Sequence, residues 1–209
     1  MSGLDDAIAN LGHSSALLAL LAALLLGLRH ATDPDHLTAV STIVLSDEPD
    51  QARRASKLGL YWGLGHATTL LAIGLPLVLL EQELPPAIER WAEFAVGVVI
   101  VALALRLLLR WEHDNPRTPA ESYGVGFVHG IGGSAGVGIL LIGGISGGAA
   151  AAAALVLFAV ASALSMALVS TGFGYAITRG SATRIFERLV PLLATLSLLF
   201  GAWYAAGAL

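Results

Sequence analysis

The chain has 209 residues, of which 56% are hydrophobic and only 12% are charged. A soluble domain carries about 25% charged residues, so this deficit argues against a fully water-facing surface and indicates a membrane protein. The formal net charge of -4, without a run of basic residues, argues against a nucleic-acid partner, and the absence of cysteine removes disulfides and thiolate metal sites. We therefore expect a multi-pass protein of the cell membrane, in contact with the lipid bilayer.

The hydrophobic stretches, taken in chain order, predict an all-α transmembrane helix bundle. A spanning helix needs about 20 mainly apolar residues. Residues 16–28 and 37–45 are apolar but short, and the residues between them are polar. Together they predict one span over about residues 14–45, interrupted near 31–34. Five further stretches are long enough to span alone, namely 58–80, 91–109, 123–145, 149–177 and 186–208. The prediction is a single transmembrane domain over 1–209 with six spans.

Lysine and arginine predict the orientation of these spans, because they are concentrated in cytoplasmic loops. The loops after the first, third and fifth spans share one side of the membrane. That side holds nine basic residues, whereas the other side holds only Arg90. The nine are Arg53, Arg54, Lys57, Arg106, Arg110, Arg117, Arg179, Arg184 and Arg188. We therefore expect both termini to be extracytoplasmic.

A short internal similarity predicts that the two halves of the chain are related. Residues 27–31 read GLRHA and residues 126–130 read GFVHG, and each motif opens an interrupted stretch in the first span of a three-span unit. The first span would run inward and the fourth outward, which predicts an inverted 3+3 repeat. In transporters built this way, interrupted spans at corresponding positions mark the binding site.

The most informative segment is residues 29–36, RHATDPDH, at the interruption of the first span. Pro34 disfavours helix at the residue before it, and Asp33 followed by proline is a good helix start. The sequence therefore predicts that one helix ends near Ala31 and a second begins at Pro34, with Asp33 as its N-cap. Such a break is tolerated at membrane depth where it is buried in protein or lines a wet cavity.

Two imidazoles and two carboxylates surround this break, and they predict a metal site. His and Asp side chains suit divalent nickel, cobalt and zinc. The alternative is structural, with Arg29 paired to an aspartate and the histidines capping helix ends, but ionisable residues inside a span usually serve function. We expect His30, Asp35 and His36 to be the first ligands, and Asp33 to follow because the N-cap role competes for it. Binding should weaken as the pH falls through about 6.5, where free imidazole is protonated.

Two further histidines lie in later spans. His66 stands in GHATT at 65–69 and shares a helical face with Trp62 and Thr69. His129 begins the glycine-rich HGIGGSAG, and 11 of the 24 glycines fall between residues 124 and 148. The alternatives are a structural histidine bonded between helices and close helix packing by small residues. The functional interpretation is that glycine lets the backbone approach the other histidines. The predicted metal residues are His30, Asp33, Asp35, His36, His66 and His129.

These motifs together resemble a known family. His30, four residues and then Asp35-His36 is similar to the signature of the nickel/cobalt transporter family, and LGHATT at 64–69 resembles its second motif. HGIGGSA at 129–135 looks like the shorter, six-span, urease-accessory-like nickel permeases. The resemblance implies nickel or cobalt transport with His30, Asp35, His36 and His66 as selectivity residues. The chain departs from the family in having Pro34 where alanine is usual, and it lacks the eight spans and later acidic motifs of the larger transporters.

The function predicted from the sequence is a permease for a divalent transition metal, with nickel first and cobalt or zinc as alternatives. The chain carries no P-loop, so we expect a gradient, a proton couple or the membrane potential to drive transport, and we expect no resident cofactor and no enzyme activity. Three alternatives stay open: an exporter of the same fold, an intramembrane metalloenzyme, and a structural subunit whose polar cluster docks a partner. HExxH is missing, which disfavours the metalloenzyme. The oligomeric state also stays open.

Overall fold

The computed structural model describes residues 16–44, 51–80, 82, 84–109, 117–130, 132, 145, 148–177 and 181–209. Regular structure in these ranges is α-helical throughout and contains no strand, which confirms the predicted all-α class. The helices are α1 (Ala16–His30), α2 (Pro34–Val44), α3 (Gln51–Leu79), α4 (Pro86–Leu108), α5 (Pro119–His129), α6 (Gly148–Ile177) and α7 (Ser181–Gly207).

Four helices among the described residues are long and apolar enough to cross a bilayer: α3, α4, α6 and the Val190–Gly207 part of α7. The pair α1 and α2 passes the same criteria together and is bent by 44° at the break between them, so it is either a broken span or a re-entrant loop. Four or five candidate spans indicate a multi-pass membrane protein. Helix α5 has only 11 residues, and most of the predicted span 123–145 beyond it lies outside the described residues. The number six stays a prediction.

The break between α1 and α2 follows from local backbone chemistry. Helix α1 ends at His30, one residue before the predicted end, and α2 begins at Pro34 as predicted. The Thr32 and Asp33 amides donate to the carbonyls of Arg29 (2.8 Å) and His30 (3.1 Å), which tightens the last turn of α1. Pro34 cannot donate an amide hydrogen, and it therefore suits the first position of α2. The Asp33 carbonyl accepts the first bond of the new helix, from the Leu37 amide at 2.9 Å.

The helices extend beyond the predicted spans where polar residues continue them. Helix α3 begins at Gln51 rather than at residue 58, because hydropathy detects only the apolar part of a helix whose first turns carry basic residues. Helix α4 begins at Pro86 rather than at residue 91, and proline at the first helical position explains that start. Helix α6 differs by one residue from the predicted 149–177, and α7 begins five residues before the predicted 186–208.

Helices pack in pairs through small residues. Helix α3 lies along both α6 and α5, α1 lies along α6, and α4 lies along α7. A Cβ atom added to Gly63 would come within 2.7 Å of the Ala163 carbonyl oxygen, and one added to Gly65 would overlap the Tyr123 carbonyl. Glycine therefore allows α3 to approach two neighbours at backbone distance, as is common between membrane helices. Helix α2 contacts α3, α4, α6 and α7, so it lies inside the bundle.

Two apolar clusters flank a polar layer in the bundle. One cluster contains Val40, Leu58, Trp62 and Met166, and the other contains Ala23, Leu70, Leu155 and Phe158. The Trp62 ring of the first cluster contacts one histidine, and the Phe158 ring of the second contacts another. Both apolar clusters therefore reach the candidate site.

Candidate metal centre

Four histidines from four helices converge in the polar layer. His30 is the last residue of α1, His36 lies in the first turn of α2, His66 is in the middle of α3, and His129 is the last residue of α5. His36, His66 and His129 are fully buried, and His30 is 3% exposed. Ring centroids are 4.4 Å apart for His30 and His36, 4.9 Å for His30 and His66, and 4.7 Å for His36 and His129. The helix break and the two helix ends therefore deliver imidazoles to one place.

His30, His36 and His66 form a three-imidazole group whose ligand atoms lie within 4.8 Å of one another. Within it, the Nε2 atoms of His30 and His66 are 3.0 Å apart. Two nitrogens bound at about 2.0–2.1 Å to one ion, at right or tetrahedral angles, are about 2.8–3.4 Å apart. The spacing of these two nitrogens is therefore suitable for one divalent ion.

Asp33 supports His30 from behind rather than joining a ligand group. Its Oδ2 lies 3.3 Å from His30 Nδ1 and its Oδ1 lies 3.4 Å from Arg29 Nη1. A carboxylate that accepts the Nδ1 hydrogen leaves Nε2 of the same ring available to an ion, which is the usual arrangement of metal-binding histidines. The ion pair with Arg29, which was the structural alternative for this segment, is present as well.

Asp35 bridges two histidines. Its Oδ1 accepts from His36 Nδ1 and its Oδ2 accepts from His129 Nε2, each at 3.2 Å. These three residues form a second group, the aspartate group, whose ligand atoms also lie within 4.8 Å of one another. His36 belongs to both groups. Asp35 can thus either orient the two imidazoles or bind an ion directly.

Several buried nitrogens in this cluster lack a hydrogen-bond partner among the described residues. They are His36 Nε2, His66 Nδ1 and His129 Nδ1. An unpaired buried polar group costs about 1–3 kcal/mol. A cation would offset this cost only at a nitrogen that binds it, as His36 Nε2 could, because the ion spacing described above uses Nε2 rather than Nδ1 of His66. The surrounding wall is aromatic, with the Trp62 ring centroid 5.4 Å from that of His36 and the Phe158 centroid 5.2 Å from that of His30.

The start of α5, which carries His129 at its other end, is held by a cap that the sequence analysis missed. Thr118 and Glu121 form a capping box, in which the Thr118 amide donates to Glu121 Oε2 at 2.7 Å and the Glu121 amide donates to Thr118 Oγ1 at 3.2 Å. The Thr118 amide, aided by Arg106 at 3.1 Å, lowers the pKa of Glu121. The signal was readable, because Thr-x-x-Glu before an apolar run is a helix-start pattern.

The structure brings all six predicted residues together. Five of them belong to one or both ligand groups, and Asp33 contacts His30 without belonging to either group. Their assignment as ligands stays a prediction. The two other histidines of the chain, His13 and His113, lie outside the described residues.

Two named relatives match the chain. It is 28% identical to the urease accessory protein UreH of Bacillus sp. (strain TB-90), over 86% of each chain. Over 84 residues it is 34% identical to the high-affinity nickel transport protein of Cupriavidus necator, a match that covers 40% of this chain and 23% of that protein. No family model and no solved structure matches. The resemblance to the nickel/cobalt transporter family that the motifs predicted is confirmed by these relatives, which are named for urease accessory function and nickel transport.

Proposed function

We propose that this protein is a membrane permease that carries Ni²⁺ through the three-imidazole group and the aspartate group. The observation that carries the proposal is the cluster of four buried histidines at a helix break inside an apolar bundle. The name of one relative, a high-affinity nickel transport protein, supports nickel as the cargo. Neither relative is named as an enzyme, which favours transport over catalysis.

The donor set suits a borderline divalent metal. Imidazole nitrogen and carboxylate oxygen bind nickel, cobalt and zinc, whereas magnesium and calcium prefer sites built of oxygen alone. Asp33 and Asp35 bring two negative charges to the cluster and Arg29 brings one positive charge, so the residues contribute a net charge of about -1 toward the ion. Cobalt and zinc fit the same donors, and the name of the relative that transports nickel is our reason for proposing nickel before them.

The shared imidazole of His36 suggests how an ion passes. An ion held by the three-imidazole group can move to the aspartate group while it keeps contact with His36. A path of adjacent weak sites is better suited to conduction than one deep site, because the ion must also leave.

An inverted 3+3 repeat, with both termini extracytoplasmic, is part of this proposal. In this repeat α1 corresponds to α5, α3 to α6, and α4 to α7. The packing of α1 against α6 then corresponds to the packing of α5 against α3, and the pairs α3–α6 and α4–α7 correspond to themselves. The equivalent glycines also make equivalent contacts. A Cβ added to Gly27 would come within 2.6 Å of the Phe158 carbonyl oxygen, and a Cβ added to Gly126 would overlap the Trp62 carbonyl. These packing relations support the repeat.

Uptake is the direction that we propose. A negative potential inside the cell contributes about 2.3 kcal/mol per charge per 100 mV, or about 4.6 kcal/mol for a divalent cation. Flux in liposomes should therefore increase when the compartment that the ion enters is made negative. Net export under the same potential would favour the exporter alternative.

Reconstitution tests the proposal. We expect purified protein in liposomes that contain a nickel-sensitive dye to show saturable Ni²⁺ entry. His36→Ala should abolish this entry, and His13→Ala, at a histidine that is not one of the six predicted metal residues, should leave it unchanged. Ni²⁺ binding to the wild type without flux would contradict transport and favour the metalloenzyme. Absence of Ni²⁺ binding to the wild type would favour the structural subunit.

A further inference from the structure

Two hydroxyl groups on neighbouring helices bond to the backbone of the two helix ends that carry histidine. Thr69 Oγ1 on α3 donates to the Phe127 carbonyl of α5 at 2.7 Å, and it also lies 3.3 Å from the Gly65 carbonyl of its own helix. Ser165 Oγ on α6 donates to the Leu28 carbonyl of α1. Each accepting carbonyl lies two residues before the terminal histidine of its helix, His129 or His30. The two bonds therefore occupy equivalent places in the two halves of the chain.

These bonds replace amides that the helix ends lack. The last four carbonyls of a helix have no partner within it, and at membrane depth no bulk water replaces that partner. In α1, the Arg29 and His30 carbonyls accept from the residues of the break, and the Leu28 carbonyl accepts from Ser165. In α5, the Gly126 carbonyl accepts from Gly130, and the next carbonyl accepts from Thr69.

A close backbone contact accompanies each hydroxyl bond. Gly27, one residue before Leu28, lies so near α6 that a Cβ would come within 2.6 Å of a carbonyl oxygen there. Gly126, one residue before Phe127, lies against α3 at the same kind of distance. Each histidine-bearing end is thus attached at two consecutive residues, by a glycine contact and by a side-chain hydrogen bond. Both hydroxyl residues are buried, Thr69 at 1% and Ser165 at 4% exposure.

We propose that Ser165 and Thr69 are positioning residues for ion passage, which set the place of His30 and His129 without touching the ion. This inference rests on the proposed function. The two residues have different consequences, because His30 belongs to the three-imidazole group and His129 belongs to the aspartate group. Loss of the Ser165 hydroxyl weakens ion binding. Loss of the Thr69 hydroxyl leaves binding in place and slows the onward step.

The test compares Ser165→Ala with Thr69→Val in calorimetric titration with Ni²⁺ and in liposome flux. We expect Ser165→Ala to raise the Kd for Ni²⁺ by about tenfold, which is the lower end of the effect of losing a supporting contact at a metal site. Thr69→Val should change the Kd by less than about twofold and reduce flux by about tenfold, on the same scale. Thr69→Ser and Ser165→Thr keep the hydroxyl and should retain most of the wild-type values.

The matched control is Thr171→Val. Thr171 Oγ1 bonds to the Ala167 carbonyl of its own helix at 2.6 Å, so this variant removes a hydroxyl bond without releasing a helix end. Its Kd and flux should equal those of the wild type. If Ser165→Ala and Thr69→Val lower only the melting temperature, as a packing role predicts, the inference is overturned while the proposed function stands. If wild-type protein neither binds nor carries Ni²⁺, both fall together.

Discussion

The helix ends at His30 and His129 are attached to their neighbours in the same way, but different residues follow them. After His30 the chain supplies Asp33, Asp35 and His36 within six residues. After His129 it supplies glycine, and a Cβ at Gly130 would lie 2.7 Å from the His66 carbonyl oxygen. The first half therefore provides most of the predicted ion donors. The second half provides one predicted donor and close backbone approach.

Helices α3 and α6 show the same division. His66 follows Trp62 by about one helical turn, and Ser162 follows Phe158 by the same interval. Trp62 and Phe158 make equivalent glycine contacts and both face histidine rings. The metal-binding candidate therefore stands on α3, and a serine occupies the corresponding place on α6. If the proposed repeat holds, its packing depends on small residues in both halves, whereas the predicted metal chemistry depends on a few positions at which the halves differ.

The largest expected effect is the loss of Ni²⁺ binding in His36→Ala, in comparison with His129→Ala in the other half of the chain. His36 belongs to both ligand groups, so His36→Ala should weaken Ni²⁺ binding by more than the roughly 10–100-fold that loss of a supporting residue costs. His129→Ala removes a donor from the aspartate group alone, and we expect a Kd within about tenfold of wild type with a much larger loss of flux. Calorimetry and liposome flux measure the two quantities. If His129→Ala abolishes binding as fully as His36→Ala does, the ion binds first in the aspartate group.

Sequence chemistry predicted the break and the six candidate residues because both signals are local. Pro34 dictates where α2 begins, and ionisable side chains are conspicuous in an apolar span. The different contacts of Asp33 and Asp35 could not be predicted in this way. Asp33 faces its own helix end, whereas Asp35 reaches His129, 94 residues later in the chain. That contact depends on how α5 docks.

The hydrogen-bond partners of Thr69 and Ser165 could not be predicted from the sequence for the same reason. A serine or threonine in a membrane helix usually bonds to a carbonyl of its own helix, as Thr68 does with Leu64 at 2.8 Å. Only the approach of α5 and α1 offers a carbonyl of another helix to Thr69 and Ser165. The local pattern indicates that a hydroxyl will bond to backbone, but it does not indicate which backbone.

An intermediate effect is expected from glycine contacts in the second half. In Gly126→Ala the new Cβ would overlap the Trp62 carbonyl, so backbone must move three residues before His129. Overpacking of this kind costs about 1–3 kcal/mol, and we expect a lower melting temperature together with reduced Ni²⁺ flux. Gly124→Ala is the control, because an added Cβ there meets nothing within 4 Å. Equal behaviour of the two variants would mean that close approach at Gly126 is not required.

The smallest effect is expected at Ser162. Its Oγ is buried and has no hydrogen-bond partner among the described residues. Ser162→Ala therefore removes a buried hydroxyl without breaking a hydrogen bond to any of them. Stability should stay the same or rise by about 1 kcal/mol, since an unpaired buried hydroxyl is a net cost. Ni²⁺ affinity should not change, in contrast to His66→Ala at the corresponding position of α3. Thermal unfolding and calorimetric titration measure both. A loss of Ni²⁺ affinity in Ser162→Ala would show that this hydroxyl faces the ion, and the second half would then supply a donor where we find only packing.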